Sequence, residues 1–280
     1  MPSYYFSCAP DGDYMSLALR GVTARSAKFE RGEIRQFSIK SRSRLMQKIA
    51  MLNKTVMPLF VTLTYPERFP TDFEVYKYDL HHFFISLQRA FSGAGVIWKL
   101  EYQDRGAPHF HMLLYGVSLS QAMEFIPMKW HEIAGGDDKN HLAFHRGELR
   151  GSEHCVQPVK SWRGVKSYAS KYFTKMFGVA GKSGRFWGVR GKVPMSELLT
   201  LKIDVTTALQ FRRAYRRFSG FSSRRLGFWA FGSSEGWVSF ISRLEKDREG
   251  EYIPLPFPPG WWRVVSPVDL RPDDFVMDFY

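Results

Sequence analysis

From residue 96 the chain reads Val96-Ile97-Trp98-Lys99-Leu100-Glu101-Tyr102-Gln103, then Asp104-Arg105-Gly106-Ala107-Pro108, then His109-Phe110-His111-Met112-Leu113-Leu114-Tyr115. Two runs that alternate in polarity flank a short break containing a glycine, the signature of a β-hairpin. Alternation puts Val96, Trp98, Leu100 and Tyr102 on one face of the first run, and Ile97, Lys99, Glu101 and Gln103 on the other. The second run sorts Phe110, Met112 and Leu114 from His109, His111, Leu113 and Tyr115. Each strand thus has an apolar face for a core and an opposite face bearing ionisable groups. In an antiparallel pair, directly opposed residues share a face, so Glu101 can join the histidines only in alternate registers. The register expected here pairs Glu101 with His111 and Gln103 with His109, with Arg105, Gly106 and Ala107 as a three-residue loop.

Two imidazoles at i and i+2, with a carboxylate across the hairpin, supply three metal-ligating groups with room for water and substrate. His/His/Glu ligation suits Mn²⁺, Mg²⁺, Zn²⁺ or Co²⁺ more than Ca²⁺. Upstream, Met57 to Tyr65 reads as a strand closed by Pro66, with Phe60, Thr62 and Thr64 on one face. Thr62 and Thr64 are expected to complete a polar floor beside the histidines. Around these strands the spacing predicts a helix over 38–53 with Leu45, Ile49 and Leu52 inward and Arg42, Arg44 and Lys48 outward. Further helices are expected over 79–91, 119–131 and 162–177, a loop at 135–138 and a short strand near 155–159. The order of elements predicts an α+β fold, an antiparallel sheet of about five strands with helices packed on it.

Composition agrees with a folded, anion-binding protein. Forty Lys and Arg against twenty-seven Asp and Glu give +13 over 280 residues, with 44% hydrophobic and 16% aromatic side chains. Such a chain is neither disordered nor too short for a sizeable core. A pI near 9.7 points to a polyanionic partner. Only Cys8 and Cys155 are present and no secretory leader is legible, so a reducing compartment is expected. No apolar run approaches the ~20 residues that cross a bilayer. The charge suits nucleic acid or an anionic membrane face alike, and it is the catalytic motifs that lead to the expectation of a nucleic-acid partner and no membrane partner. Residues 251–280 hold five acids, two arginines and prolines at 254, 256, 258 and 259, a net of −3, which leaves +16 on the first 250.

The helix expected over 162–177 carries Tyr168, Lys171, Tyr172 and Lys175. At 100° per residue the two tyrosines stand ~40° apart, each with a lysine three residues on. A phenol, normally of pKa ~10, becomes a competent nucleophile when ammonium groups favour the phenolate and a metal polarises a phosphate. Farther on, Phe211-Arg212-Arg213-Ala214-Tyr215-Arg216-Arg217-Phe218 interleaves arginines with aromatics, which suits phosphate contact and base stacking. Arg42 and Arg44 are expected to extend that DNA-binding surface. Gly181-Lys182-Ser183 imitates the end of a phosphate-binding loop, but Met176 stands where the loop needs glycine, and an ATPase is rejected.

Phe60-Val61-Thr62-Leu63-Thr64-Tyr65-Pro66, then Glu101 with Arg105-Gly106-Ala107-Pro108-His109-Phe110-His111, then Tyr168 to Lys175, occur in one order along the chain. Together they resemble the rolling-circle replication initiators of the HUH endonuclease superfamily, in the two-tyrosine branch of single-stranded DNA phages and related plasmids. Arg185-Phe186-Trp187-Gly188-Val189 also resembles the segment after the tyrosine helix in phage-type members. The resemblance covers roughly residues 38–195 and implies an HUH, or RRM-like, nuclease core. It implies that His109 and His111 bind Mg²⁺ or Mn²⁺ with Glu101 as third ligand, and that Tyr168 and Tyr172 are the nucleophiles. The implied reaction is nicking and rejoining of one DNA strand through a 5′-phosphotyrosyl link. Implied partners are single-stranded or supercoiled origin DNA, a host helicase and a polymerase, in a bacterial cytoplasm. The expected organisation is an N-terminal extension with a basic helix over 1–56, the endonuclease core over 57–195, a basic helical DNA-binding region over 196–250 and a Pro-rich acidic tail over 251–280. A two-tyrosine transposase using the same chemistry, and a non-catalytic module that binds single-stranded nucleic acid, are the alternatives. The first would join its cut ends into new DNA; the second would leave the grouping of Glu101, the histidines and the tyrosines without a role.

Overall fold

The computed structural model describes residues 3–21, 33–34, 36–165, 184–219 and 228–231, with only the backbone at 201, 210, 214–219 and 228–231. The chain forms two compact units. One gathers the described residues of Glu30–Met46 and Lys54–Pro194, the other those of Met1–Phe29, Gln47–Asn53 and Met195–Tyr280.

The first unit is built on a five-stranded antiparallel sheet. Its strands are β3 (Leu59–Thr64), β4 (Gly95–Tyr102), β5 (Pro108–Tyr115), β6 (Val156–Pro158) and β7 (Trp187–Gly191), in the order β6-β3-β5-β4-β7. β5 lies at the centre because it pairs with both β3 and β4. Helices α2 (Phe73–Ala90) and α3 (Leu119–Trp130) meet one face through aromatic side chains. Trp130, fully buried, touches Phe83 of α2 and Phe110 of β5 edge to face at 6.0 and 6.2 Å, and Trp98 of β4 lies 6.3 Å from Phe84. Burying such rings contributes roughly 1.5–3 kcal/mol each, and their edge-to-face contacts fix the orientation. The apolar face read from the alternation is therefore the one that carries the helices.

Local signals start the helices. Asp72 caps α2 by accepting from the Glu74 amide at 2.9 Å, about two turns before the start expected at 79. Ser118 and Gln121 form a capping box on α3. Pro127 sits inside α3, which passes at its end into a π-helical turn, His131–Gly135. Helix α4 (Lys139–His145) comes next, capped by Asp138, which accepts from the Asn140 and His141 amides. It falls just after the stretch read as a loop at 135–138. Of the helix expected over 162–177, residues 162–165 are helical and the remainder lies outside the described residues.

The hairpin register differs from the expected one by a single step. Glu101 pairs with His109 and Lys99 with His111. The loop does have three residues, but they are Asp104, Arg105 and Gly106, closed by the Gly106 amide on Gln103 O at 2.7 Å and the Gln103 amide on Ala107 O at 3.0 Å. Gly106 takes φ +82°, the left-handed conformation that ends a three-residue hairpin loop. Placing the glycine third rather than second moves every pair by two residues and leaves the faces unchanged.

The second unit holds a four-stranded antiparallel sheet, β8-β1-β2-β9, from β1 (Ser3–Cys8), β2 (Tyr14–Arg20), β8 (Leu199–Ile203) and β9 (Phe228–Phe231). Residues 1–56 and 196–250 were expected to be separate regions; β1 pairs with β8 and β2 with β9, so the two segments build one sheet. Helix α5 (Val205–Ser219) lays Ala208 and Phe211 on Phe6, Cys8, Met15 and Leu17, with Phe6 and Phe211 stacked at 4.7 Å. Phe211, read as a candidate base-stacking residue, is thus a core side chain, drawn inward by the helical period. Cys8 and Cys155 are free thiols. Among the described residues no helix is long and apolar enough to cross a membrane.

Candidate functional site

The sheet face opposite α2 and α3 gathers the residues singled out in the hairpin and in β3. β3 pairs with β5 so that Thr62 lies opposite His111 and Thr64 opposite His109. Thr64 Oγ1 is 2.9 Å from His109 Nδ1, and Thr62 Oγ1 is 3.4 Å from His111 Nδ1. The two imidazoles meet edge to face with centroids 4.5 Å apart, and Phe60 stacks on His111 at 5.6 Å. On the other side of β5, Glu101 Oε2 reaches diagonally to His111 Nε2 at 3.4 Å. Its second oxygen accepts from Lys99 Nζ at 2.6 Å.

These groups are withdrawn from water. Lys99 is 0% exposed, His111 4% and Glu101 6%. Phe37 lies over the Lys99 ammonium at 5.2 Å. Burial pushes the Glu101 carboxyl upward, but the hydrogen bond with His111 and the Lys99 charge outweigh it, and its pKa falls below the usual glutamate value. Burial first, then the neighbouring His111, lowers the pKa of His109 to about 3. His109 is neutral at pH 7, the form in which an imidazole ligates a metal.

Threonine hydroxyls on both Nδ1 atoms favour Nε2 as the ligating nitrogen, the arrangement that a shell of hydrogen bonds gives metal-bound histidines. His111 Nε2 and Glu101 Oε2, at 3.4 Å, are as far apart as two donors sharing one ion at about 2.1 Å. This donor set fits a hard or borderline divalent cation. Among the described residues, no three His, Cys, Asp or Glu side chains already converge as a preformed three-ligand group.

Thr64 is held from a direction that the sequence reading missed. Its carbonyl accepts from Trp130 Nε1 at 2.8 Å and from His141 Nε2 at 2.7 Å, which uses both lone pairs. Its amide donates to His145 Nε2 at 3.1 Å, while His145 Nδ1 donates to His141 O at 2.9 Å. His145 is thereby fixed as one neutral tautomer, and burial lowers its pKa to about 4. The spacing of His141 and His145, one turn apart after the cap Asp138, is the signal that could have found them. Arg105 adds a clamp from the hairpin loop, donating to Tyr65 O at 2.6 Å and Pro66 O at 2.7 Å.

The other expected site residues lie on other elements or outside the described residues. Tyr168, Lys171, Tyr172 and Lys175 lie outside the described residues. Arg42 is half-buried and Arg44 exposed on helix α1 (Ile39–Ala50), in the part of it that belongs to the first unit. Arg212 is half-buried and Arg213 exposed on α5 in the second; Arg216 and Arg217 lie on the same helix, with backbone alone described. His81 and His82 are exposed on α2, away from the histidine pair.

Residues 58–177 match the family model described as replication-associated protein ORF2/G2P. The matched segment contains β3, the β4–β5 hairpin, α4 and the stretch of sequence from Tyr168 to Lys175. No curated protein and no solved structure matches the chain.

Proposed function

We propose, from the premise of a replication-associated segment over residues 58–177, that the protein nicks and rejoins one strand of origin DNA to start and end rolling-circle replication of a phage or plasmid. What carries this is the arrangement on one sheet face: Thr64 on His109, Thr62 on His111, and Glu101 between His111 and Lys99. His109, His111 and Glu101 would hold Mg²⁺ or Mn²⁺. When bound, the ion supplies positive charge to the scissile phosphate, making it more electrophilic.

The chain's own residues do the remainder. Thr62 and Thr64 orient the imidazoles, and Lys99 keeps Glu101 ionised in a buried setting. The Tyr168 or Tyr172 oxygen attacks the phosphorus as its proton leaves to solvent, favoured by the neighbouring Lys171 and Lys175 charges. The bond from phosphorus to the 3′ oxygen breaks, that oxygen takes up a proton, and the 5′ phosphate stays on the tyrosine. One ester replaces another, so rejoining needs no ATP. A free 3′-OH then primes a host polymerase, with strand separation left to a host helicase. Arg42, Arg44, Arg212, Arg213, Arg216 and Arg217 are proposed to contact the DNA backbone.

The experiment uses a supercoiled plasmid carrying the origin of the replicon that encodes the chain. With Mn²⁺ or Mg²⁺ the protein is expected to give open circles whose 3′ end a polymerase extends directly and whose 5′ end resists exonuclease. Plasmid that is bound but stays supercoiled in every metal would favour the binding-module alternative.

A further inference from the structure

A second group of nitrogens lies beyond Thr64. His141 Nε2 donates to the Thr64 carbonyl, which can only accept, so the proton of this neutral ring is on Nε2 and Nδ1 carries a lone pair. That Nδ1 is buried and without a hydrogen-bond partner among the described residues, and so is Nδ1 of His131 in the π-helical turn. An unpartnered polar atom in the interior costs about 1–3 kcal/mol whether it is a donor or an acceptor, so two side by side require an explanation.

Gly135 supplies it. A Cβ built there would lie 2.2 Å from His131 Nδ1 and 2.5 Å from His141 Nδ1. Gly135 is not among the glycines with positive φ, so it is the missing side chain, not the backbone conformation, that matters at this position. The two nitrogens thus face one small space and lie at most about 4.7 Å apart, a bound that includes the roughly 3.3–3.4 Å between two imidazole nitrogens on one tetrahedral ion at about 2.0–2.1 Å each. The His141 ring already has the support expected of a ligand, its far nitrogen bonded to a backbone carbonyl.

We propose that His131 and His141 hold a nitrogen-preferring divalent ion of the Zn²⁺, Co²⁺ or Ni²⁺ class through their Nδ1 atoms, with water completing the coordination. Two neutral imidazoles without a carboxylate select such an ion over Mg²⁺ or Ca²⁺. The site is separate from the His109, His111 and Glu101 donors and does not depend on the nicking function. The ion ties the π-helical turn to α4, and through His141 it steadies Thr64.

The test is equilibrium dialysis of the full chain against Zn²⁺, with the ion counted by atomic absorption, in a His109→Ala/His111→Ala background that removes the other donors. One Zn²⁺ per chain is expected to remain. Adding His131→Gln, which leaves the Thr64 hydrogen bonds alone, should abolish it or weaken it at least tenfold, and Gly135→Ala should do the same by filling the space. Imidazole ¹⁵N spectra of the background protein should show metal-induced shifts at Nδ1 of His131 and His141, with His141 Nε2 still protonated. No bound Zn²⁺ in the background protein, or binding unchanged by His131→Gln, would overturn the proposal. Failure of the nicking function would leave the expected stoichiometry in this background unaltered.

Discussion

Glu101 and His109 stand directly across the β4–β5 hairpin from each other, yet the Glu101 carboxylate makes its contact with His111, one pair farther along the same face. This diagonal results from where Gly106 sits in the loop. It leaves Glu101 between a histidine and the buried Lys99, and it leaves His109 to Thr64.

Gly106 sets that register through its φ of +82°, and nothing lies within 4 Å of where a Cβ would be. Gly106→Ala should therefore act through backbone strain alone. A loss of about 1–2 kcal/mol in urea unfolding is expected, the cost of a left-handed L-residue. Unchanged stability would mean that the loop does not need the glycine.

Thr64 holds His109 by its hydroxyl and is itself held by its backbone. Thr64→Val keeps the branched shape and the backbone bonds while removing only the hydroxyl. Mn²⁺ affinity by calorimetry and the nicking rate should each fall about 10–100-fold, as when a ligand histidine loses its supporting partner. Thr62→Val, which removes a longer 3.4 Å contact, should have the smaller effect.

Lys77 of α2 lies over the Trp98 ring at 4.7 Å and donates to Arg185 O. Burial lowers its pKa from 10.5 to about 7. Between those values the unfolded chain binds a proton that the folded chain has released, so stability contributed by this group rises with pH above about 7. Urea midpoints should rise from pH 7 to 9, and Lys77→Met should flatten that slope. An equal slope in the variant would show that the ammonium is hydrated.

Much of this architecture is legible in the chain because period-2 alternation is unambiguous where one sheet face is buried. Residues 96–115 yield the hairpin, both faces and the loop length; the register slips by one step because alternation fixes parity and only the turn fixes the pairing. Leu80, Phe83, Phe84 and Leu87 give the middle of α2, while its first turn depends on the cap at Asp72. The β1–β2–β8–β9 sheet is not legible, because β8 and β9 pair with β1 and β2 across about two hundred residues and the strands carry no motif. His141 and His145 escape notice because their partner is the backbone of Thr64, and a backbone contact leaves no trace in residue type.

Tyrosine-mediated nicking is tested most directly by incubating the protein with a labelled single-stranded oligonucleotide of the origin and Mn²⁺ or Mg²⁺, then resolving products on a denaturing gel. Wild type should give a covalent protein–DNA adduct that EDTA prevents. Tyr168→Phe and Tyr172→Phe should each reduce it to a different extent, and the double variant should abolish it. An adduct that persists in the double variant, or tight binding of the oligonucleotide with no adduct in any metal, would rule out Tyr168 and Tyr172 as the nucleophiles of a nicking reaction.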